Sequence, residues 1–411
     1  MFSAPASVFA LSLSYLRRRP LTAALNVVLM ALGIATIVVL LLASRQLEER
    51  LERDAAGIDL VVGAKGSPLQ LVLSAVYHLD APTGNVRMKD ARFVLESKAV
   101  RRAVPMALGD TYAGHAIVGT TPAYLDLYGA TVNDGRLWEG VREAVVGADV
   151  AQEQRLTVGR TFVSAHGVGG VTSHTDAPMT VVGIMGKTGT VLDRLVLTSI
   201  ETVWANHDHD YGAADDGAAH DPHLDSLRMA EREITAIVVQ LKNPAAGYLF
   251  ARTVDGIENL KAAQPAFELA RLFRLFGVGA QALQVFGAVL LATALLSLFV
   301  TLYSALEDRR YDVAMLRTLG ASRSAVFRSL VIEGLLLAAM GVGLGLLLGH
   351  AAVEVAGRAM AQAQGLRLTG AQFLPAEALL ALAALAVGVL AALLPAWRAY
   401  RSDVAATLAE G

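Results

Sequence analysis

The chain has 411 residues, of which 54% are hydrophobic and 18% charged, and its mean hydropathy is +0.48. That is too apolar for an ordinary soluble globule, in which about 25% of residues are charged. A formal net charge of -2 offers no field that would attract nucleic acid, and the lack of cysteine excludes disulfide staples, thiolate nucleophiles and thiolate metal ligands.

In chain order, residues 1–20 form an amphipathic segment: Val8, Leu11, Leu13 and Leu16 precede the basic cluster Arg17, Arg18 and Arg19, a pattern suited to a lipid interface. Pro20 then stands where a helix begins. Residues 21–43, 280–303, 330–349 and 376–397 are each long and apolar enough to cross a ~30 Å hydrocarbon core. The first run exceeds the ~7–15 residues of a signal-peptide core and reads as a retained anchor. Gly341, Gly343, Gly345 and Gly349 give the third span a stripe of small residues suited to close helix packing. Glu333 lies near the start of that span.

Arginine placement sets the expected orientation. Arg17–Arg19 precede span one, Arg309, Arg310, Arg317, Arg323 and Arg328 fill the 304–329 loop, and Arg398 and Arg401 follow span four. Only Arg358 and Arg367 occupy the 350–375 loop. Both termini, the 304–329 loop and the 398–411 tail are therefore expected in the cytoplasm of a bacterial inner-membrane protein. The 44–279 segment is expected to be periplasmic.

That segment opens with a charged, helix-prone stalk at 44–54, and a second stalk at 265–279 leads back to the membrane. Between them, strand-like runs at Ile58–Gly63, His115–Gly119, Glu143–Gly147, Met179–Ile184, Asp193–Thr198 and Ile234–Leu241 alternate with helical pieces such as Ala148–Arg155. The mixture predicts an α+β domain. Gly186-Lys187-Thr188 looks like the end of a phosphate-binding loop, but Val181 stands where the required first glycine belongs. Gly63-Ala64-Lys65-Gly66-Ser67 lacks the spacing too. Both read as turns, and the chain has no complete Walker motif. No nucleophile elbow or metalloprotease helix is present either, so no catalytic residue is assigned. His207, His209, His220 and His223 cluster among aspartates in 206–225. These are zinc-type ligands, although the Gly, Ala and Asp content favours a solvated loop.

The most specific pattern is Glu307-Asp308-Arg309-Arg310-Tyr311-Asp312-Val313-Ala314-Met315-Leu316-Arg317-Thr318-Leu319-Gly320-Ala321-Ser322-Arg323. Val313, Leu316 and Leu319 make an apolar helical stripe beside Arg309, Arg310 and Arg317. Gly320 suits a helix C-terminus, and Ser322 or Ser324 suits the next N-cap. An amphipathic helix between two spans needs a protein groove or the membrane surface for its apolar side. This run, followed by Glu333-Gly334 and a glycine-rich helix, resembles the loop of the FtsX/MacB/LolC-type ABC transporter permeases (the type VII, mechanotransmission family), with Asp312-Val313 in place of the usual Glu-Ile. The 183–190 run with Asp193-Arg194 looks like part of a MacB-type periplasmic domain.

The resemblance implies four transmembrane helices per chain, a MacB-like α+β extracytoplasmic domain, and an FtsX-like permease domain over 280–400. It also implies a homodimer in contact with membrane lipid and coupled to a separate LolD/MacB-type ATPase. ATP and Mg would belong to that partner, which docks at Glu307, Arg309, Arg310, Val313, Leu316, Arg317, Leu319 and Gly320. The implied work is export or extraction of a lipoprotein, peptide, antibiotic or lipid. Alternatives are FtsX-like regulation of an envelope enzyme, or zinc handling through the histidine tract.

Overall fold

The computed structural model describes residues 14, 17, 20–166, 172–173, 177–207, 229–308, 315, 318, 322–364 and 368–401. They form two compact units. One comprises 1–47 with 275–411, and the other comprises 48–274.

The first unit is a helix bundle. Its helices are α1 (Pro20–Asp54), which continues into the second unit, α8 (Pro265–Asp308), which enters from it, α9 (Arg323–Gln364) and α10 (Pro375–Arg401). All four are long and apolar enough to cross a membrane. Each outruns its apolar core. α9 extends well past residue 349 because the following residues remain good helix formers, with Glu354 and Arg358 paired one turn apart at 3.0 Å.

Small residues set the packing. A methyl added at Gly341, Gly345 or Gly349 of α9 would lie 2.8, 2.6 or 2.8 Å from Met30, Ile34 or Val38 of α1, whereas Gly343 faces open space. Gly388 of α10 approaches Ala338 in the same way, and Gly287 of α8 approaches Ile37. Backbones in lipid come together by such close contacts, because lipid tails give no hydrophobic drive for helices to associate. Asn26 of α1 donates to Thr301 Oγ1 of α8 at 2.9 Å. Glu333 is buried at 4% exposure.

The second unit carries fourteen strands among its described residues. In chain order they are β1 (Leu60–Ala64), β2 (Val86–Arg87), β3 (Val100–Tyr112), β4 (His115–Thr120), β5 (Val132–Gly135), β6 (Glu143–Val146), β7 (Thr161–Phe162), β8 (Ala165–His166), β9 (Thr172–Ser173), β10 (Met179–Met185), β11 (Val196–Ser199), β12 (Glu233–Ile234), β13 (Ala236–Leu241) and β14 (Leu260–Ala263). Short helices intervene: α2 (Pro68–Ala75), α3 (Met88–Leu95), α4 (Ala123–Leu127), α5 (Ala148–Gln154), α6 (Ile200–His207) and α7 (Gly247–Asp255).

The main sheet runs β14-β1-β13-β3-β4-β11-β6-β10-β5. β3 belongs to both halves: residues 100–106 pair with β13, and residues 107–112 pair with β4. Gly109, at φ +143, sits where the second register shifts between Leu108 and Thr111. Each half has its own core. Leu60, Val62, Val239, Phe250, Val254 and Leu260 pack together in the first, and Ile117, Val146, Val150, Met179, Val181 and Val196 in the second.

β3 is the longest of the strands absent from the sequence-based expectation, which also lacks β2, β5, β7, β8, β9 and β14. Pro105 and Gly109 argue against a long strand. Pro105 is accommodated because, in that stretch, β13 is the strand partner of β3 among the described residues. Two expected strands are also shortened. Val191–Arg194 is a 3-10 turn before β11, and Thr235 separates β12 from β13.

Candidate functional site

The helices that flank the candidate docking loop in the chain, α8 and α9, pack against the end of α10. Leu306 of α8, Val326 and Leu330 of α9, and Ala396 and Ala399 of α10 form one buried cluster, with Phe327 packed edge-on against Tyr400. Arg398 donates to the Tyr303 hydroxyl, and its guanidinium lies over that ring. Ser322 is the N-cap of α9: its Oγ accepts from the Ala325 N–H at 3.2 Å. Of the sequence-derived loop residues, Glu307 lies in the last turn of α8. Arg309, Arg310, Val313, Leu316, Arg317, Leu319 and Gly320 lie outside the described residues.

At the opposite end of α9, the loop before α10 is clamped by side chains. Gln46 of α1 makes two bonds to the Thr369 backbone, at 2.7 and 2.8 Å. Glu354 accepts from the Gly370 N–H at 2.9 Å. His350 bridges the Gly370 carbonyl, at 2.6 Å, and the buried carboxylate of Glu377, at 2.8 Å.

A polar cluster that the sequence reading does not identify surrounds the last turn of α1. The final carbonyls of a helix lack intrahelical donors. Here the Tyr128 hydroxyl donates to Asp54 O at 2.8 Å, and the Tyr77 hydroxyl, at 3.1 Å, is a second donor to Leu51 O, which also accepts from the Ala55 N–H. Burial pushes both phenols' pKa values up, so each stays a donor at working pH. Asp54, 1% exposed, pairs with Arg194 at 3.3 Å, and Arg194 also donates to the Tyr77 carbonyl at 3.0 Å. Partners separated by 26 to 140 residues leave no periodic signal in a sequence.

The loop that looks like a phosphate cradle is filled from within. The Thr188 N–H, Thr188 hydroxyl and Gly189 N–H all donate to the Asp193 carboxylate at 2.8 Å, and Lys187 lies 3.3 Å from it. The chain's own aspartate thus takes the donors that a phosphate would need. In the other glycine run, Ser67 caps α2.

His207 ends α6, and its Nε2 lies 3.1 Å from the carboxylate of Asp110 on β3. That hydrogen bond outweighs burial and raises the imidazole pKa. His209, His220 and His223 lie outside the described residues. Among the described residues, no group of three His, Asp or Glu side chains is placed to hold a metal ion.

Comparison with known proteins matches residues 23–248 to the MacB-like periplasmic core domain and residues 284–404 to the FtsX-like permease C-terminal domain. The chain belongs to the FtsX/MacB-type family of ABC transporter permeases. Two solved structures resemble parts of this permease. The periplasmic region of MacB from Actinobacillus actinomycetemcomitans is 10% identical at a TM-score of 0.33, with 53% of this chain and 95% of that one covered. The extracellular domain of the noncanonical ABC-type transporter YknZ from Gram-positive bacteria is 15% identical at 0.30, with 50% and 99% covered. No curated protein sequence matches significantly. The permease is thus a multi-pass membrane protein with four helices of spanning length and a MacB-like α+β domain between the first and second.

Proposed function

We propose that this permease transmits motion from a separate ABC ATPase to its large domain, driving export or extraction of an envelope substrate of lipoprotein, peptide, antibiotic or lipid type. ATP and Mg2+ belong to the partner, and the chain itself has no catalytic residue. The observation that carries the reading is the loop between α8 and α9 in a chain of this family. It joins two membrane helices and has apolar Val313, Leu316 and Leu319 at helical spacing beside Arg309, Arg310 and Arg317. An apolar stripe on a helix outside the hydrocarbon seeks a groove, and that groove is on the ATPase. Two permease copies bind two ATPases. The 307–320 segment, both termini and the 398–411 tail face the cytoplasm; the 44–279 domain is periplasmic.

α1 and α8 support a mechanical reading. Each is one unbroken helix, from the membrane-spanning stretch into the residues of the large domain. In the double variant Leu316→Asp with Leu319→Asp, the permease inserts normally and co-purification with the ATPase drops at least tenfold. Undiminished co-purification would falsify the docking assignment.

Zinc binding by His207, His209, His220 and His223 is a separate proposal, resting on their clustering with aspartates. Calorimetric titration of the full chain with zinc should give a site that disappears when the four histidines become alanine. Identical heats in the two proteins would remove zinc from consideration.

A further inference from the structure

The end of α1 is joined to the two halves of the sheet in different ways. Its covalent continuation is the turn at 55–59, with Gly57 at φ +80, leading to β1 in the first half. A glycine in that region is a compliant connection. The second half is reached without a covalent link. Arg194 ends the turn that leads directly into β11, and its guanidinium meets Asp54 at 3.3 Å. Tyr128, which follows α4 between β4 and β5, donates to the Asp54 carbonyl at 2.8 Å. The ion pair is buried, with side chains 10% and 1% exposed. An ion pair away from water is screened little and resists separation.

The two stalk helices therefore enter the domain at different places. α8 follows β14, an edge strand of the first half, with only Gln264 between them. The last turn of α1 is held by Arg194 and Tyr128 from the second half, and by Tyr77, which follows α2 on the first half. A displacement of α1 relative to α8 loads the sheet where its halves meet. That junction is β3, where the register shifts and a methyl added at Gly109 would meet nothing within 4 Å.

We infer that Arg194 is a positioning residue that carries displacement of α1 into the second half of the sheet, with Asp54 and Tyr128 as its partners and β3 at Gly109 as the pivot. This rests on the reading that ATP-driven motion reaches the domain.

The absence of cysteine makes the test direct, since introduced pairs are unique labels. Spin labels at Glu52→Cys with Ala270→Cys report on the stalk helices, and labels at Gln152→Cys with Arg252→Cys report on the two halves of the sheet. All four positions are exposed. The sample is the full chain with its co-purifying ATPase, with and without ATP plus vanadate. With Arg194 intact, both distances shift on trapping. In Arg194→Met the stalk distance still shifts and the sheet distance does not, while Arg194→Lys recovers at least half of the sheet shift.

Because Arg194→Met strands a buried carboxylate, the double variant Asp54→Leu with Arg194→Met serves as its folding control. It removes both charges and should give the same split between the two distances. A full sheet shift in either Met variant overturns the assignment of Arg194. A stalk distance that ignores nucleotide in every background overturns the functional reading, and the joint with it.

Discussion

At the residue scale, the domain's polar side chains mostly complete its own backbone. Asp193 closes the 188–189 turn, and Tyr77 and Tyr128 finish α1. His78 belongs to this group and carries a pH dependence. It sits at φ +51 with Nε2 3.3 Å from the Tyr124 hydroxyl. Burial first, then the Arg194 charge, lowers its pKa from 6.5 to about 3. The unfolded chain takes up a proton between those values that the folded chain refuses. His78 therefore costs no stability above pH 6.5, and stability falls as pH drops below it, by up to about 1.4 kcal/mol per pH unit. His207 has the opposite sign: its raised pKa contributes stability at low pH that fades as pH rises through it. His78→Asn keeps a side chain that tolerates positive φ and has no proton to refuse. Between pH 6.5 and 5.5, the unmodified chain in detergent should lose about 1 kcal/mol more than this variant, read as a larger fall in Tm. Parallel falls in the two proteins would rule His78 out as the source.

At the element scale, a helix's neighbour is chosen by where it lacks side chains. α9 meets α1 through Gly341, Gly345 and Gly349, spaced one turn apart, while Gly343 points away from that contact. The glycine stripe was legible in the sequence as a packing surface; which helix it would meet was not, because α1 presents Met30, Ile34 and Val38, apolar residues like those that face lipid elsewhere. Gly345→Val adds atoms 2.6 Å from Ile34 Cβ and 2.9 Å from the Ala31 carbonyl. A backbone oxygen cannot rotate aside, so overpacking should cost ~2 kcal/mol. Gly343→Val should cost almost nothing by comparison. Thermal unfolding of both in the same detergent separates them, and equal Tm values would mean that the α1–α9 contact is not set by Gly345.

At the scale of the whole molecule, long-range periodicity was readable and long-range pairing was not. Four apolar runs marked four helices, and the strand-like runs at 143–147 and 179–184 marked β6 and β10. The joint at Asp54 depends on Tyr77, Tyr128 and Arg194, each unremarkable in its own stretch and brought together only by the sheet order. β3, with Pro105 and Gly109 inside it, pairs with β4 through a tight hairpin and with β13 from far along the chain. The proposed sidedness of the molecule rests on a different kind of argument, the placement of the arginines. Ser322 stands between α8 and α9 among Arg309, Arg310, Arg317, Arg323 and Arg328, whereas Glu139 is exposed in the large domain. Basic loops stay in the cytoplasm because translocating Lys and Arg is disfavoured, so a position in this loop should be hidden from outside reagents. With no native cysteine to contribute background, Ser322→Cys in intact cells should resist an impermeant maleimide and react only after permeabilisation. Glu139→Cys should react without it once the outer barrier is opened. Labelling of Ser322→Cys in cells with a sealed inner membrane would invert the topology and move the docking loop to a side without ATP, and no ATPase could then reach it.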